Sequence, residues 1–125
     1  MMYHPLNAYK QVDVKARMAA ATPPELVVML LEGAMVAVVD AKCHLAHHRI
    51  LERGNAITKA TSILRSLGEN LNMETGGPVA ASLREGYHHL VRRLHLAHIR
   101  KDMAILEEVE KQLVALKGAW ASVRE

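Results

Sequence analysis

The stretch LVVMLLEGAMVAVV, residues 26–39, decides the fold, since its only charged side chain is Glu32. On a helix that turns by about 100° per residue, its apolar side chains form two rows on roughly opposite sides. One row, continued to residue 41, contains Leu26, Leu30, Ala37 and Ala41, and the other contains Val28, Leu31, Met35 and Val39. The run is too short to span a membrane, which takes about 18 apolar residues, so it predicts a buried core helix. The second row then needs a cover: another segment of the chain, a second copy or a bound partner.

The composition of the chain indicates one all-α domain. Of its 125 residues, 50% are hydrophobic but only 3% are aromatic, and phenylalanine is absent. The core is therefore expected to consist of Leu, Val, Ile, Ala and Met, which as a group favour helices over sheets. A chain of this length can form a single core of useful size.

Charge, cysteine content and the N-terminal residues suit a cytoplasmic protein. The formal net charge is +3, and acidic and basic residues are interspersed, which serves solubility at least as well as nucleic-acid binding. The single cysteine, Cys43, cannot form an internal disulfide, and it is expected to be a small packing residue on a helix. The first ten residues contain no apolar signal core. We therefore expect no secretion and no membrane insertion.

The first predicted helix has a strong start signal. In Thr22-Pro23-Pro24-Glu25, Thr is a suitable N-cap, Pro suits the first helical position, and Glu follows three residues after the cap. The helix is expected to run from residue 23 to residue 53. Gly54-Asn55 should end it, with Asn55 as the cap of the next helix.

Three further helices follow after short connections. The second is expected over residues 56–70, and a loop at 72–77 leads to Pro78, which begins the third. The fourth is expected over residues 103–123, with Asp102 as its cap. The inward stripes of the three helices are Ile57, Ala60, Leu64, Leu67 and Leu71; Leu83, Tyr87, Leu90, Leu94 and Ala97; and Leu106, Val109, Leu113, Leu116 and Trp120. Short connections make consecutive helices antiparallel neighbours, so residues 22–125 are predicted to form an up-down-up-down four-helix bundle.

Residues 1–21 differ from the rest of the chain. Scattered apolar residues stand among polar ones, which predicts a mobile arm that is partly helical around residues 6–11. The arm contains large side chains with apolar surface that can be buried, at Tyr3, Leu6 and Tyr9. An apolar arm of this kind suits a groove between helices when no partner is bound.

Eight histidines raise the possibility of a metal site. Glu85 and His88 have the Glu-x-x-His form that di-iron bundles use, but both lie far from the inward stripe of the third helix. A di-iron core needs a second such motif, which the sequence lacks. Solvated surface histidines are the better interpretation, and we predict no metal and no other cofactor.

Nucleic-acid binding and catalysis are also disfavoured. The basic pairs Arg92-Arg93 and Arg100-Lys101 have neither a helix-turn-helix pattern nor aromatic stacking residues around them. No nucleophile motif or inward pair of carboxylates is present, so no enzyme is predicted. Binding remains. From the pattern alone, a client in a groove between helices and self-association as a homodimer explain the surplus row equally well.

Several stretches of the sequence together carry a resemblance to a known family. They are Met2-Tyr3 with Ala8-Tyr9 and Val12; Thr22-Pro23 followed by residues 26–34; Ile57-Thr58-Lys59-Ala60; residues 71–77; Leu83 with Tyr87, Arg92, Arg93 and Leu94; and Glu107-Glu108-Val109 with Ala119-Trp120. In order and spacing they resemble the flagellar export chaperone family, FliS, over essentially the full length of the chain.

The resemblance implies an antiparallel helical bundle that acts in the cytosol. Such a bundle binds the disordered C-terminal segment of flagellin, keeps it from polymerising too early and aids its export through the flagellar type III secretion system, with the export gate as a further partner. It also implies that the N-terminal arm covers part of the client groove and moves aside. Together with the surplus row, this predicts client contacts at Leu6, Tyr9, Val28, Leu31, Met35, Val39, Ile57, Lys59 and Ala60.

Overall fold

A computed structural model of the protein describes residues 16, 17, 19–71 and 73–123. The helices of the bundle are α1 (Pro23–Ala46), α2 (Ile50–Glu69), α3 (Met73–Arg100) and α4 (Met103–Ala121). Each helix packs against the next, and α4 packs against α1, so the four form a closed ring. Because the connections are short, neighbouring helices are antiparallel. The prediction of an all-α four-helix bundle is confirmed.

The start of α1 is the predicted capping box. The Glu25 backbone N–H donates to Thr22 Oγ1 at 3.3 Å, and the Thr22 N–H donates to Glu25 Oε2 at 3.4 Å. Pro23 occupies the first turn, where its missing N–H costs no hydrogen bond. These contacts fix where the apolar run of α1 begins.

The predicted end of α1 was wrong. The helix stops at Ala46, and Gly54 and Asn55 lie inside α2. His48, with φ 57°, takes the left-handed position that usually requires glycine, and the Arg49 N–H donates to the His44 carbonyl at 2.9 Å. Gly54 instead lies beside the His98 ring of α3, where a Cβ would come within 3.5 Å of Cε1. An added Cβ would make ordinary van der Waals contact there, so Gly54 lies in the packing of α2 against α3 and does not end a helix.

The start of α3 differs in part from the prediction. Helical structure is present from Met73, inside the predicted loop, but Gly77 interrupts it with φ 53° and ψ −131°. This conformation strongly favours glycine. A Cβ on Gly76 would lie 2.5 Å from the Ala80 Cβ, so both glycines are needed at this break. Regular helix resumes at Pro78, as predicted.

The core is aliphatic and follows the predicted stripes. Its largest fully buried side chains are Tyr87, Leu31, Leu64, Leu90, Leu94, Leu106, Leu113, Val38, Val109 and Thr61. Leu71, Leu83, Leu116 and Trp120 are only partly buried and pack around this cluster. The outer stripe positions near one end of the bundle are therefore available for other contacts.

One polar pair joins α2 to α3 inside the bundle. Arg53 is buried, and its Nε donates to His98 Nδ1 at 3.1 Å. This bond requires His98 to be neutral, with Nδ1 unprotonated. Burial lowers the pKa of His98, and the nearby charges of Arg53 and His95 lower it further. A protonated His98 would bring a second positive charge against the buried guanidinium.

Neighbouring residues on α4 provide a matched test of the core. Leu113→Ala should lower the free energy of unfolding by about 2–5 kcal/mol, because it leaves a cavity in a fully buried position. Val114→Ala, at a position that is 52% exposed, should change it by less than about 0.5 kcal/mol. Urea unfolding followed by circular dichroism measures both. Equal losses in the two variants would contradict the placement of α4.

The Arg53–His98 pair predicts a loss of stability in mild acid. In the unfolded chain His98 takes up a proton near its ordinary pKa of 6.5, while in the folded chain it does so only at lower pH. The contribution of His98 is therefore complete above about pH 6.5 and declines as the pH falls towards the lowered pKa. His98→Asn keeps an acceptor for Arg53 but cannot be protonated, so its unfolding free energy should fall less between pH 7.5 and pH 5.5. Identical pH slopes in urea titrations of both proteins would refute this role.

Candidate functional site

The surplus row of α1 is largely covered within the chain. Since α1 lies between α2 and α4, both of its apolar rows pack against neighbouring helices. Leu31 is fully buried, so at this position another segment of the chain covers the row and direct contact with a client would require rearrangement. Val28 and Met35 are half-buried, and Val39 is 48% exposed. Only the last three can contact a partner without rearrangement of the bundle.

The predicted contacts on α2 are divided in the same way. Ile57 and Ala60 are buried in the core, so direct contact with a client at these two positions is not possible in this conformation. Lys59 is exposed between them. The core packing of Ile57 and Ala60 positions α2, whereas Lys59 is free to meet a partner.

The largest apolar groove lies on the other side of α1 from the predicted row. It has a volume of about 860 Å³ and opens between the N-terminal half of α1 and the C-terminal end of α2. Its lining residues are Pro23, Pro24, Leu26, Val27, Leu30, Ser66, Leu67, Asn70, Leu71, Tyr87 and Trp120. We call it the α1–α2 groove. None of the described residues that line it is charged, so this part of the groove suits an apolar segment.

Two aromatic side chains form the inner wall of the α1–α2 groove. Tyr87 of α3 is buried, and Trp120 of α4 donates from Nε1 to Tyr87 Oη at 3.0 Å. Burial raises the pKa of Tyr87, partly offset by this hydrogen bond, so the phenol remains neutral. The bond fixes the tryptophan ring where α1, α3 and α4 approach one another. Both residues were predicted as core positions, and no sequence pattern indicated that they face a groove.

A second cavity adjoins this site on the other side of Pro24. It measures about 440 Å³ and is lined by Arg17, Ala20 and Ala21 from the segment before α1, together with Val28 and Trp120 among others. The segment that precedes α1 thus reaches the same end of the bundle as the α1–α2 groove. Leu6 and Tyr9, the predicted contacts of the arm, lie outside the described residues.

A shallower apolar strip remains on the α1–α4 side. Met35, Val36 and Val39 line it with Glu32 and Glu110 at its edges. Both carboxylates pair across the helix interface, Glu110 with Lys42 at 2.9 Å and Glu32 with Lys117 at 3.7 Å. The hydrogen bond that Lys42 donates to Glu110 raises the pKa of Lys42. Partly exposed pairs of this kind add little stability, so they mainly orient α1 against α4.

The histidines and the cysteine do not assemble a site in the described part of the chain. No group of three His, Cys, Asp or Glu side chains there could hold a metal ion. Cys43 is exposed, so its expected packing role was wrong. His98 is engaged with Arg53, which differs from the solvated histidines that the sequence suggested. Within the described helices, none is long and apolar enough to cross a membrane.

Comparison with known proteins places the chain in one family. Residues 5–125 match the family described as flagellar protein FliS. The chain belongs to the FliS family. It is 36% identical to the flagellar secretion chaperone FliS of Salmonella typhimurium over 119 residues, which cover 94% of this chain and 88% of that protein.

Two further relatives support the same assignment. The FliS of Vibrio cholerae is 32% identical, covering 94% of this chain and 87% of the relative. The FliSB of Pseudomonas aeruginosa is 30% identical, covering 94% of both proteins. Both carry the description flagellar secretion chaperone. The chain is therefore a FliS-family chaperone of the flagellum, and the α1–α2 groove is its best-formed candidate binding site.

Proposed function

We propose that this FliS-family chain binds the disordered C-terminal segment of flagellin in the cytosol, prevents its premature polymerisation and aids its export through the flagellar type III secretion system. The uncharged, apolar α1–α2 groove is the observation that carries the proposal. The apolar residues of a client must be kept out of water until assembly. A groove between helices can bind the segment that carries them, either as a helix or in an extended conformation. Contact with the export gate would follow once the client is bound.

The α1–α2 groove has the properties of a site for a segment that folds on binding. Leu26, Leu30 and Leu71 are partly exposed along its walls, so a client can cover apolar surface without displacing the core. Disordered segments bind with modest affinity per unit area because ordering opposes binding. A long contact along the bundle offsets this cost. The accessible residues Val28, Met35, Val39 and Lys59 would then serve as additional contacts outside the groove.

The N-terminal arm is proposed to share this site. Arg17, Ala20 and Ala21 line the cavity next to Trp120, at the same end of the bundle as the groove, which supports this proposal. If the arm occupied the groove about 99% of the time, it would lower the client affinity about 100-fold. Leu6 and Tyr9 would contact the client after the arm moves aside.

Aspartate substitutions on α1 test where the client binds. Leu26→Asp places a charge in the α1–α2 groove and should weaken binding at least about 30-fold, since an unpaired charge in an apolar contact costs about 2 kcal/mol or more. Val36→Asp, at a position on the same helix that is 57% exposed outside the groove, is the matched comparison and should weaken binding by less than about 10-fold. Calorimetric titration with a synthetic flagellin C-terminal segment measures both.

A third variant separates the two apolar surfaces of α1. Val39→Asp alters the predicted row without touching the α1–α2 groove, and we expect a loss of less than about 10-fold. If Val39→Asp abolishes binding while Leu26→Asp does not, the strip beside α4 is the client site. If the wild-type chain binds no flagellin segment, the proposed client is wrong.

Deletion of residues 2–10 tests the arm. We expect weaker client binding in calorimetry, because Leu6 and Tyr9 are removed from the contact. Tighter binding would mean that the arm only competes with the client. Unchanged affinity would remove the arm from the mechanism.

A further inference from the structure

The turns at residues 47–49 and 101–102 lie at the same end of the bundle. The up-down order of the helices places them there, and the 3.1 Å bond between Arg53 and His98 ties the start of α2 to the end of α3. The α1–α2 groove is lined by the start of α1 and the end of α2, at the opposite end. We call the end with these two turns the basic end.

Three large apolar side chains are strongly exposed at the basic end. Ile50 is 59% exposed, Leu51 is 73% exposed and Ile99 is 76% exposed. Single exposed apolar residues are normal on a protein surface. Here Ile50 and Leu51 begin α2, and Ile99 directly follows His98, which contacts α2. The three exposed side chains therefore stand on adjoining helix ends.

Positive charge accompanies these apolar side chains. Arg49, Arg100 and Lys101 are exposed, and none forms an ion pair with another described residue. Of the nearby acidic residues, Asp102 is occupied in capping α4, where it accepts from the Ile105 N–H at 3.3 Å. Glu52 is the other acidic residue near these positive charges. No side chain caps the first turn of α2, so its N–H groups are open to an anionic group.

The arrangement of side chains at the basic end favours binding to a flat anionic surface over binding to a peptide. Turns and helix ends present these side chains, whereas apolar peptides and helices dock into grooves such as those along α1. A second copy bound through the same end would place like charges together. Apolar side chains surrounded by lysine and arginine are typical of attachment to the headgroup region of a bilayer.

We propose that the basic end attaches the protein to the surface of membranes that contain anionic phospholipids. Leu51 and Ile99, with Ile50, enter the headgroup boundary, and Arg49, Arg100 and Lys101 pair with lipid phosphates. Such attachment is reversible and needs no spanning segment, which agrees with the described helices, none of which is long and apolar enough to cross a membrane. It also leaves the α1–α2 groove open at the other end of the bundle.

Sedimentation with vesicles tests the proposal on the full chain. Binding to vesicles of phosphatidylcholine with 30% phosphatidylglycerol should exceed binding to phosphatidylcholine alone, and it should weaken as salt is added. The double variant Arg100→Gln with Lys101→Asn should lower the partition coefficient about 25-fold, at about five-fold per charge. Asparagine is chosen because residue 101 has φ 53°, which asparagine tolerates.

Matched variants elsewhere on the bundle complete the test. Leu51→Ser with Ile99→Ser should also reduce vesicle binding at least about 10-fold, whereas Val79→Ser with Val114→Ser and Lys59→Gln with Lys111→Gln should leave it unchanged. Thermal unfolding confirms that each variant is folded. No vesicle binding, equal losses in the control variants, or binding to polyglutamate without binding to vesicles would overturn the proposal.

Discussion

The structure depends on burying α1, a helix that is apolar on nearly every side. Leaving either row in water would forgo roughly 1.5–3 kcal/mol for each large side chain that could be buried. The bundle meets this requirement by placing α1 between α2 and α4, so that Leu31 on one row and Ala37 on the other are both buried. What remains exposed is not a whole row but the α1–α2 groove at the N-terminal half of the helix and the shallower strip at Val36 and Val39. The candidate site is thus a consequence of how the core is closed.

The α1–α2 groove and the core share residues, which links binding to stability. Leu67 and Tyr87 belong to the buried cluster and also line the groove. The bond from Trp120 to Tyr87 holds the end of α4 against α3, so the groove wall has a fixed shape before any partner arrives. A preformed wall of this kind reduces the ordering cost to the client alone. The arm, if it occupies the groove, adds a competing equilibrium without changing this wall.

Periodicity and capping predicted the bundle well because each stripe marks one buried face. They failed where tertiary contacts set the outcome. Gly54 is typical of a helix end in sequence, yet it lies inside α2 beside His98. His48, which is not a glycine, takes the left-handed conformation at the turn. The Leu31 row looked surplus because a single sequence does not reveal that α1 has neighbours on two sides. The α1–α2 groove was missed for the same reason, since its walls come from all four helices.

In the proposed function the α1–α2 groove, and not the row through Met35 and Val39, receives the client. A titration of the isotope-labelled protein with the C-terminal segment of flagellin, followed by amide and indole NMR shifts, distinguishes the two surfaces. Binding in the α1–α2 groove should produce the largest changes at residues 26–30 and 67–71 and at the indole of Trp120. Changes centred on residues 35–39, with the Trp120 indole unaffected, would contradict it.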